Sequence, residues 1–440
     1  MKKLSLLLLI FWGFNSLAQN SLPAGDPIQN GLSKEGIQRV DAFLAEQTAK
    51  KVIPGSIGMI VRHGKVVYKK AHGKANLETG EAMRTDHLFR MASMSKIITA
   101  VAGLKLFERG YFTMDTPLSS ILPEFANMQV LTGYDEQKHQ FITRPAKNPI
   151  LMKHLFTHTS GIAYPPFATT GHEGYVKANV TFAFPKVKSG LKLSEIIESA
   201  AKLPLTHEPG ESWTYGMNLE VLGRVIEKLD GRSFADFLRQ EIFTPLKMNR
   251  TYVGVPKEEW KNVTQVYTQD ANGKFSVYTD EVGRNLMGFS TETSMDFWKD
   301  TNTQLAMGGT DVMSNVDDYA RFFQMLLNYG QLDGAQILSK KTVEMIEKPL
   351  FDVATKDPVS FGVTGSSQYR SGVTVYVYPE EQAKFETISS GSYFWLGYFG
   401  TQFWIDRKED MLAMVFMQLA PETTNHNKRY RHLVWSSIAK

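Results

Sequence analysis

The chain contains no cysteine. That absence excludes disulfides, thiolate metal sites, cysteine nucleophiles and a lipid-modified cysteine behind a leader. Charge of neither sign dominates, with 49 Lys and Arg against 45 Asp and Glu and no long basic run. The densest basic cluster, NKRYRH near the C-terminus, fits the polar side of a last helix, so no nucleic-acid partner is expected. Beyond the leader no stretch is long and apolar enough to span a bilayer. Internal repeats and low-complexity tracts are missing too. The glycines lack the strand and lysine context of a phosphate or dinucleotide loop, and no metal or organic cofactor is implied.

What is present is a 440-residue chain, 42% hydrophobic and 21% charged, which is the balance of a folded protein with a large core. It opens with Lys2 and Lys3, an apolar run from Leu4 to Phe14, and the small-residue pattern Ser16, Leu17, Ala18. This is the layout of a cleavable secretory signal. The run falls well short of the roughly 20 residues that cross a membrane, so no stable membrane anchor is expected. The expectation is a signal peptide over residues 1–18, one domain over 19–440, and a secreted or periplasmic protein.

Residues 33–51 have apolar positions at helical spacing behind a serine suited to cap the helix. SIGMIVRHGKVVYKKAHG alternates apolar and polar residues around His63 and Gly64, which predicts an antiparallel hairpin. A second hairpin is predicted in GTQFWID and MLAMVFMQ, around RKED, before a closing helix at about 427–439. Further helices are predicted at about 94–109, 193–202, 218–229, 233–242 and 315–328. Residues 164–188 and 253–305 fit no regular element and read as long loops over a cleft. Strands at both ends predict an α+β fold. Its antiparallel sheet is formed from about 31–90 and 355–440, with a mostly helical region inserted at about 110–350.

Residues 89–100, FRMASMSKIITA, set two serines and a lysine at the start of a strongly apolar helix. Residues three apart share a helix face, so Ser93 meets Lys96 and Ser95 points elsewhere. A hydroxyl at a helix N-terminus has its own backbone N–H and the positive helix end beside the oxyanion formed when it attacks a carbonyl. A lysine among apolar groups loses hydration, which lowers its pKa and lets it take the serine proton. The same four residues also suit a capping serine with a lysine reaching to solvent, and S-x-x-K by itself arises often by chance.

Together with VIPGSIGMIVRHGKVVY, MKHLFTHTSGI, HEPGESWTYGMNLEVLGRVIEKLDG, MGGTDVMS and GTQFWIDRKEDMLAMVFMQ, this segment resembles the serine β-lactamase and penicillin-binding-protein family. The resemblance covers about 31–440 and is greatest to the class C β-lactamase-like branch, with its esterase and D-alanyl-D-alanine peptidase relatives. It implies that Ser93 is acylated and that Tyr215, matching the tyrosine of a Y-x-N motif, shares acid and base work with Lys96. Lys96 would stabilise the Tyr215 phenolate. Met217 stands where that motif has asparagine, and it cannot hydrogen-bond the amide of a peptide-like acyl chain. Asn218, one residue late, reads as a helix cap.

Trp395, Leu396 and Gly397 match the place where relatives carry K-T-G, without its charge. The missing lysine weakens carboxylate-bearing substrates by about one to two powers of ten, and W-x-G is common in the esterase-like members. The resemblance further implies that Gly397 lets substrate approach closely and that the backbone N–H groups of Ser93 and Tyr398 hold the oxyanion. His154 and His158 lie four apart, but without an accompanying glutamate no metal site is expected. The chain thus reads as an exported serine hydrolase of esters or small amides, working through an acyl-enzyme. One alternative is a β-lactamase or D-alanyl-D-alanine carboxypeptidase acting on a peptide or lactam. The other is a catalytically silent protein that binds cell-wall peptide or a partner.

Overall fold

The computed structural model describes residues 21–165, 170–186, 190–352, 370–421 and 425–439; the expected signal peptide lies outside them. Ser33 accepts the Gly36 N–H at 3.0 Å and so caps α1 (Lys34–Ala49), as its spacing predicts. The first hairpin joins β1 (Gly55–Arg62) to β2 (Lys65–Gly73) through His63 and Gly64, at φ of 53° and 70°. Two left-handed residues are what a tight hairpin turn of this hand requires.

The helices that matter for the site are α2 (Ser95–Glu108), α3 (Asn218–Asp230), α4 (Val316–Leu327) and the closing α5 (His426–Trp435). The remaining strands of the main sheet are β3 (Phe351–Asp352), β4 (Arg370–Ser371), β5 (Tyr376–Val377), β6 (Tyr393–Leu396), β7 (Gln402–Asp406) and β8 (Met411–Met417). The eight strands run antiparallel in the order β3-β4-β5-β6-β7-β8-β1-β2. β1 is thus zipped to β8, from Ser56 opposite Met417 to Arg62 opposite Met411. The sheet of an α+β fold is assembled from sequence-distant strands, as expected.

Register separates the two faces of this sheet. Gly58 lies opposite Val415 and Ile57 opposite Phe416. On the Gly58 face α1 and α5 press close: a Cβ there would sit 2.6 Å from Leu44 and 3.1 Å from Tyr430. On the other face Phe416 and Phe403 meet Tyr319 and Phe323 of α4, with ring centroids 6.0 and 4.0 Å apart. α2 is buried from Ser95 through Leu104, as a helix apolar all round should be. It packs on α3, where a Cβ on Gly103 would come within 2.9 Å of Leu222.

The two expected long loops are more ordered than their composition suggests. The first holds a helix, His172–Lys177, and the second a strand pair, Tyr267–Gln269 with Phe275–Val277, and a helix, Asp280–Met287. Thr279 caps that last helix and Gly288, in the left-handed region, ends it. A largely solvent-facing hairpin, Gln129–Asp135 with Gln140–Pro145, was not expected, because its turn has neither glycine nor proline. The helix expected over 233–242 is helical only to Leu238 and continues as a wider turn, Arg239–Phe243. No described helix is long and apolar enough to cross a membrane.

Candidate active site

The chain enters α2 through a short strand pair, Phe89–Arg90 with Met313–Ser314, and a tight turn, Ala92–Met94. Ala92 is held at φ 46°, a conformation that costs an L-residue about 1–2 kcal/mol and turns the chain sharply just before Ser93. Ser93 is half-buried at the head of the helix. Ser95 faces away, its Oγ accepting the Val312 N–H at 3.1 Å.

Lys96 is fully buried. Its Nζ donates to Ser93 Oγ at 3.2 Å and to the Gly309 carbonyl at 2.9 Å, and lies 4.9 and 5.2 Å from the ring centres of Tyr215 and Tyr164. Tyr215 OH donates to Ser93 Oγ at 2.6 Å. The three groups expected from sequence therefore converge on one oxygen. Burial lowers the Lys96 pKa to about 8, with Glu220 pulling it the other way. The same burial drives the Tyr215 phenol up. Burial thus opposes the expected phenolate: of the two groups the amine gives up its proton at the lower pH and is the one that can act as base, while the phenol is a donor.

Two further side chains were missed from sequence. Glu220, fully buried in the first turn of α3, accepts a hydrogen bond from Tyr164 OH at 2.8 Å. A Cβ on Gly309 would fall 2.0 Å from Glu220 Oε1 and 2.7 Å from Tyr164 OH, so only glycine can carry the carbonyl that holds Lys96. By helical period Glu220 groups with Gly223, Arg224 and Glu227 on the apparent polar face, so no pattern marks it as buried.

Met217 is not brought to the site: it is fully buried at the start of α3 and lines neither cavity next to Ser93. Asn218 does not cap the helix. Its side chain joins Ser160 Oγ at 2.5 Å and His158 Nδ1 at 3.1 Å, pinning the turn that precedes Tyr164. His158 also bonds Thr374 Oγ1 at 3.1 Å, and burial with nearby Lys96 pushes its pKa well down. His154 Nδ1 accepts the Leu151 N–H at 3.1 Å. Both histidines are thus structural, and among the described residues no group of three or more potential ligands could hold a metal.

The opposite wall is β6 and the turn after it. Trp395 is buried, 5.9 Å from the Tyr215 ring and 4.8 Å from Tyr376. Gly397 lines the cavity beside Ser93 and is also required by packing: its Cβ would lie 2.2 Å from Thr401 Oγ1 and 2.4 Å from the Met91 carbonyl. The turn is thereby clamped to the segment that leads into Ser93. Gly397→Ala is expected to cost about 1–3 kcal/mol in denaturant unfolding, because the clash is with backbone, and to lower kcat by moving this wall. Unchanged stability would show that the clamp is not tight. The N–H groups of Ser93 and Tyr398 have no acceptor in the chain among the described residues, and both residues border a cavity of about 330 Å³.

The Beta-lactamase family model matches residues 40–434. Protein Rv1367c of Mycobacterium tuberculosis is 25% identical over 384 residues, covering 87% of this chain and 90% of that protein. Esterase EstB of Burkholderia gladioli is 31% identical over 210 residues, 48% of this chain and 50% of its own. Among solved structures, one described as "EstCE1, a hydrolase with promiscuous acyltransferase activity" has a TM-score of 0.75 at 22% identity, covering 94% of this chain and 100% of that one.

Proposed function

The chain belongs to the Beta-lactamase family, and from that premise we propose that it is a serine hydrolase of carboxylic esters that works through an acyl-enzyme on Ser93. One observation carries the proposal: Ser93 Oγ receives hydrogen bonds from both Lys96 and Tyr215 at the edge of a substrate-sized cavity. The name of the relative Esterase EstB gives further support for ester chemistry.

In acylation, neutral Lys96 takes the Ser93 proton as Oγ bonds to the ester carbonyl carbon. The oxyanion faces the N–H groups of Ser93 and Tyr398. As the intermediate collapses, the bond to the alcohol oxygen breaks. Tyr215 protonates the departing alkoxide and recovers a proton from the Lys96 ammonium, so one proton has moved from serine to alcohol. Water then repeats the sequence in reverse, releasing the acid and restoring Ser93. An alcohol in place of water would give acyl transfer.

Esters are favoured over penicillins and D-alanyl peptides because position 217 sends no polar side chain into either cavity to bind an acyl amide and Trp395-Leu396-Gly397 has no charge for a carboxylate. A silent binding protein would gain nothing from desolvating a lysine against a serine hydroxyl. The leader supports export to a secreted or periplasmic location. The test is turnover of a 4-nitrophenyl butanoate, a chromogenic cephalosporin and a D-alanyl-D-alanine peptide side by side. The ester is expected to exceed the others by at least about tenfold in kcat/KM, the share a missing charged contact supplies. Turnover of the cephalosporin alone would reverse the ordering.

A further inference from the structure

A second cleft, of about 850 Å³ and open to solvent, shares no lining residue with the cavities at Ser93. Its size is that of a small-molecule site. Tyr278, in its wall, reaches Tyr398 through a 3.1 Å hydrogen bond between hydroxyls, so the cleft is a neighbour of the active site and separate from it.

The wall holds a buried charge without a counter-charge. Arg90 is 5% exposed, and its guanidinium lies over Trp298, 5.4 Å from the ring centre. Gln418 bonds the Arg90 backbone N–H and carbonyl, each at 3.2 Å, which fixes the residue in place. Of five N–H donors, one goes to the Thr264 carbonyl at 2.8 Å and one to the Met295 carbonyl at 3.3 Å. Nε has no partner among the described residues, and neither has Nε1 of Trp298, itself 6% exposed. Buried guanidinium groups are ordinarily paired with a carboxylate. Here burial pulls the pKa down to about 10, with Asp296 opposing.

The acids of the cleft are engaged elsewhere. Asp296 pairs with Lys299 at 2.8 Å, Asp280 accepts the Met295 N–H at 2.6 Å, and Glu281 is exposed in the first turn of its helix. As a staple between two loops, a neutral donor would serve without the cost of burying a charge. The remaining wall is aromatic and basic. Half-buried Trp260 meets Trp298 edge-on, with centroids 5.9 Å apart, and Lys299 Nζ rests over both rings at 5.6 and 5.1 Å. Lys261 adds a further cation.

We propose that this cleft binds a small aromatic carboxylate, with its anionic head on Arg90 and the Trp298 N–H and its ring against Trp260. Lys299, the flexible side chain overlying Trp298, swings aside to admit the head and then adds its charge.

Isothermal titration calorimetry of the full-length protein with 2-naphthoate tests this. Expected is one site, at least about tenfold weaker for the uncharged 2-naphthamide, the share of a charge-assisted hydrogen bond. Acetate, which has no ring to bury, should also bind at least about tenfold more weakly. Trp298→Phe keeps a ring but removes the N–H, and should weaken naphthoate about three- to tenfold. Asp296→Asn removes a repelling charge and frees Lys299, so binding should tighten about two- to fivefold. Arg90→Gln should abolish binding, and the other two variants decide the matter if that one does not fold. Lys428→Gln, in the wall of the cavity at Ser93, should leave the affinity unchanged. No binding of naphthoate, equal binding of acid and amide, or a site lost in Lys428→Gln but kept in Trp298→Phe would overturn the proposal. No readout uses turnover, so the outcome is independent of the ester-hydrolase proposal.

Discussion

Ser93→Ala is expected to lower kcat/KM for every ester by at least about 10⁴-fold, the scale on which losing a catalytic serine is felt when its partners remain. The substitution removes one oxygen from a half-buried position at a helix start and adds nothing to the core. Thermal unfolding should therefore hardly change. Lys96 would lose one of its acceptors but keep the Gly309 carbonyl. The companion measurement is mass spectrometry after a fluorophosphonate probe, which should add one adduct, on Ser93, to the unmodified enzyme and none to the variant. Labelling of another residue with retained activity would remove Ser93 from the chemistry.

The second large effect is expected at Lys96. Lys96→Met keeps the length and apolar stem of a fully buried side chain but removes the group that takes the serine proton, so kcat should fall by about 10³- to 10⁴-fold. KM should change little, because Lys96 lines neither cavity. Lys96→Arg should do no better than methionine, since a guanidinium cannot become neutral in the working range and its fork does not fit a site built around one ammonium. A variant in which KM rises and kcat is kept would mean that Lys96 holds substrate rather than moves a proton.

The parts of this molecule that follow local rules were legible before the structure. Ser33 before α1, His63–Gly64 between β1 and β2, and the spacing of Ser93 and Lys96 each follow from a turn, a cap or a helical period. The parts set by distant contacts were not. Glu220 becomes a site residue only because Gly309 and Tyr164 close over it from other parts of the chain. Gly397 lines the cavity as its place in the motif suggests, but it is also a clamp on Met91, a contact across some 300 residues of sequence that no local pattern encodes. The loops over the cleft looked irregular because their order comes from packing, such as Phe184 between Phe289, Phe297 and Phe399, rather than from periodicity. Met217 drew attention through its place in a motif, yet its side chain turns into the core instead of the cavity.

The division of labour between amine and phenol rests on burial. It lowers Lys96 to about 8 while raising Tyr215 and Tyr164, so both phenols stay protonated through the working range. His158 is held neutral by burial and by Lys96. Asp311, raised to about 7 by burial and bonded to the Met307 N–H and Thr310, is a nearby group that titrates in this range. Glu220 favours the Lys96 ammonium, so Glu220→Gln removes an opposing carboxylate and should move the amine's pKa further down.

The deciding measurement is the pH dependence of kcat/KM for 4-nitrophenyl butanoate from pH 5.5 to 9.5. Because the neutral amine is the active form, activity should rise about tenfold per pH unit below about 8 and level off above it. The limb should persist in Asp311→Asn and shift to lower pH in Glu220→Gln. A flat profile, or a limb that vanishes with Asp311→Asn and ignores Glu220→Gln, would contradict Lys96 as the base that activates Ser93.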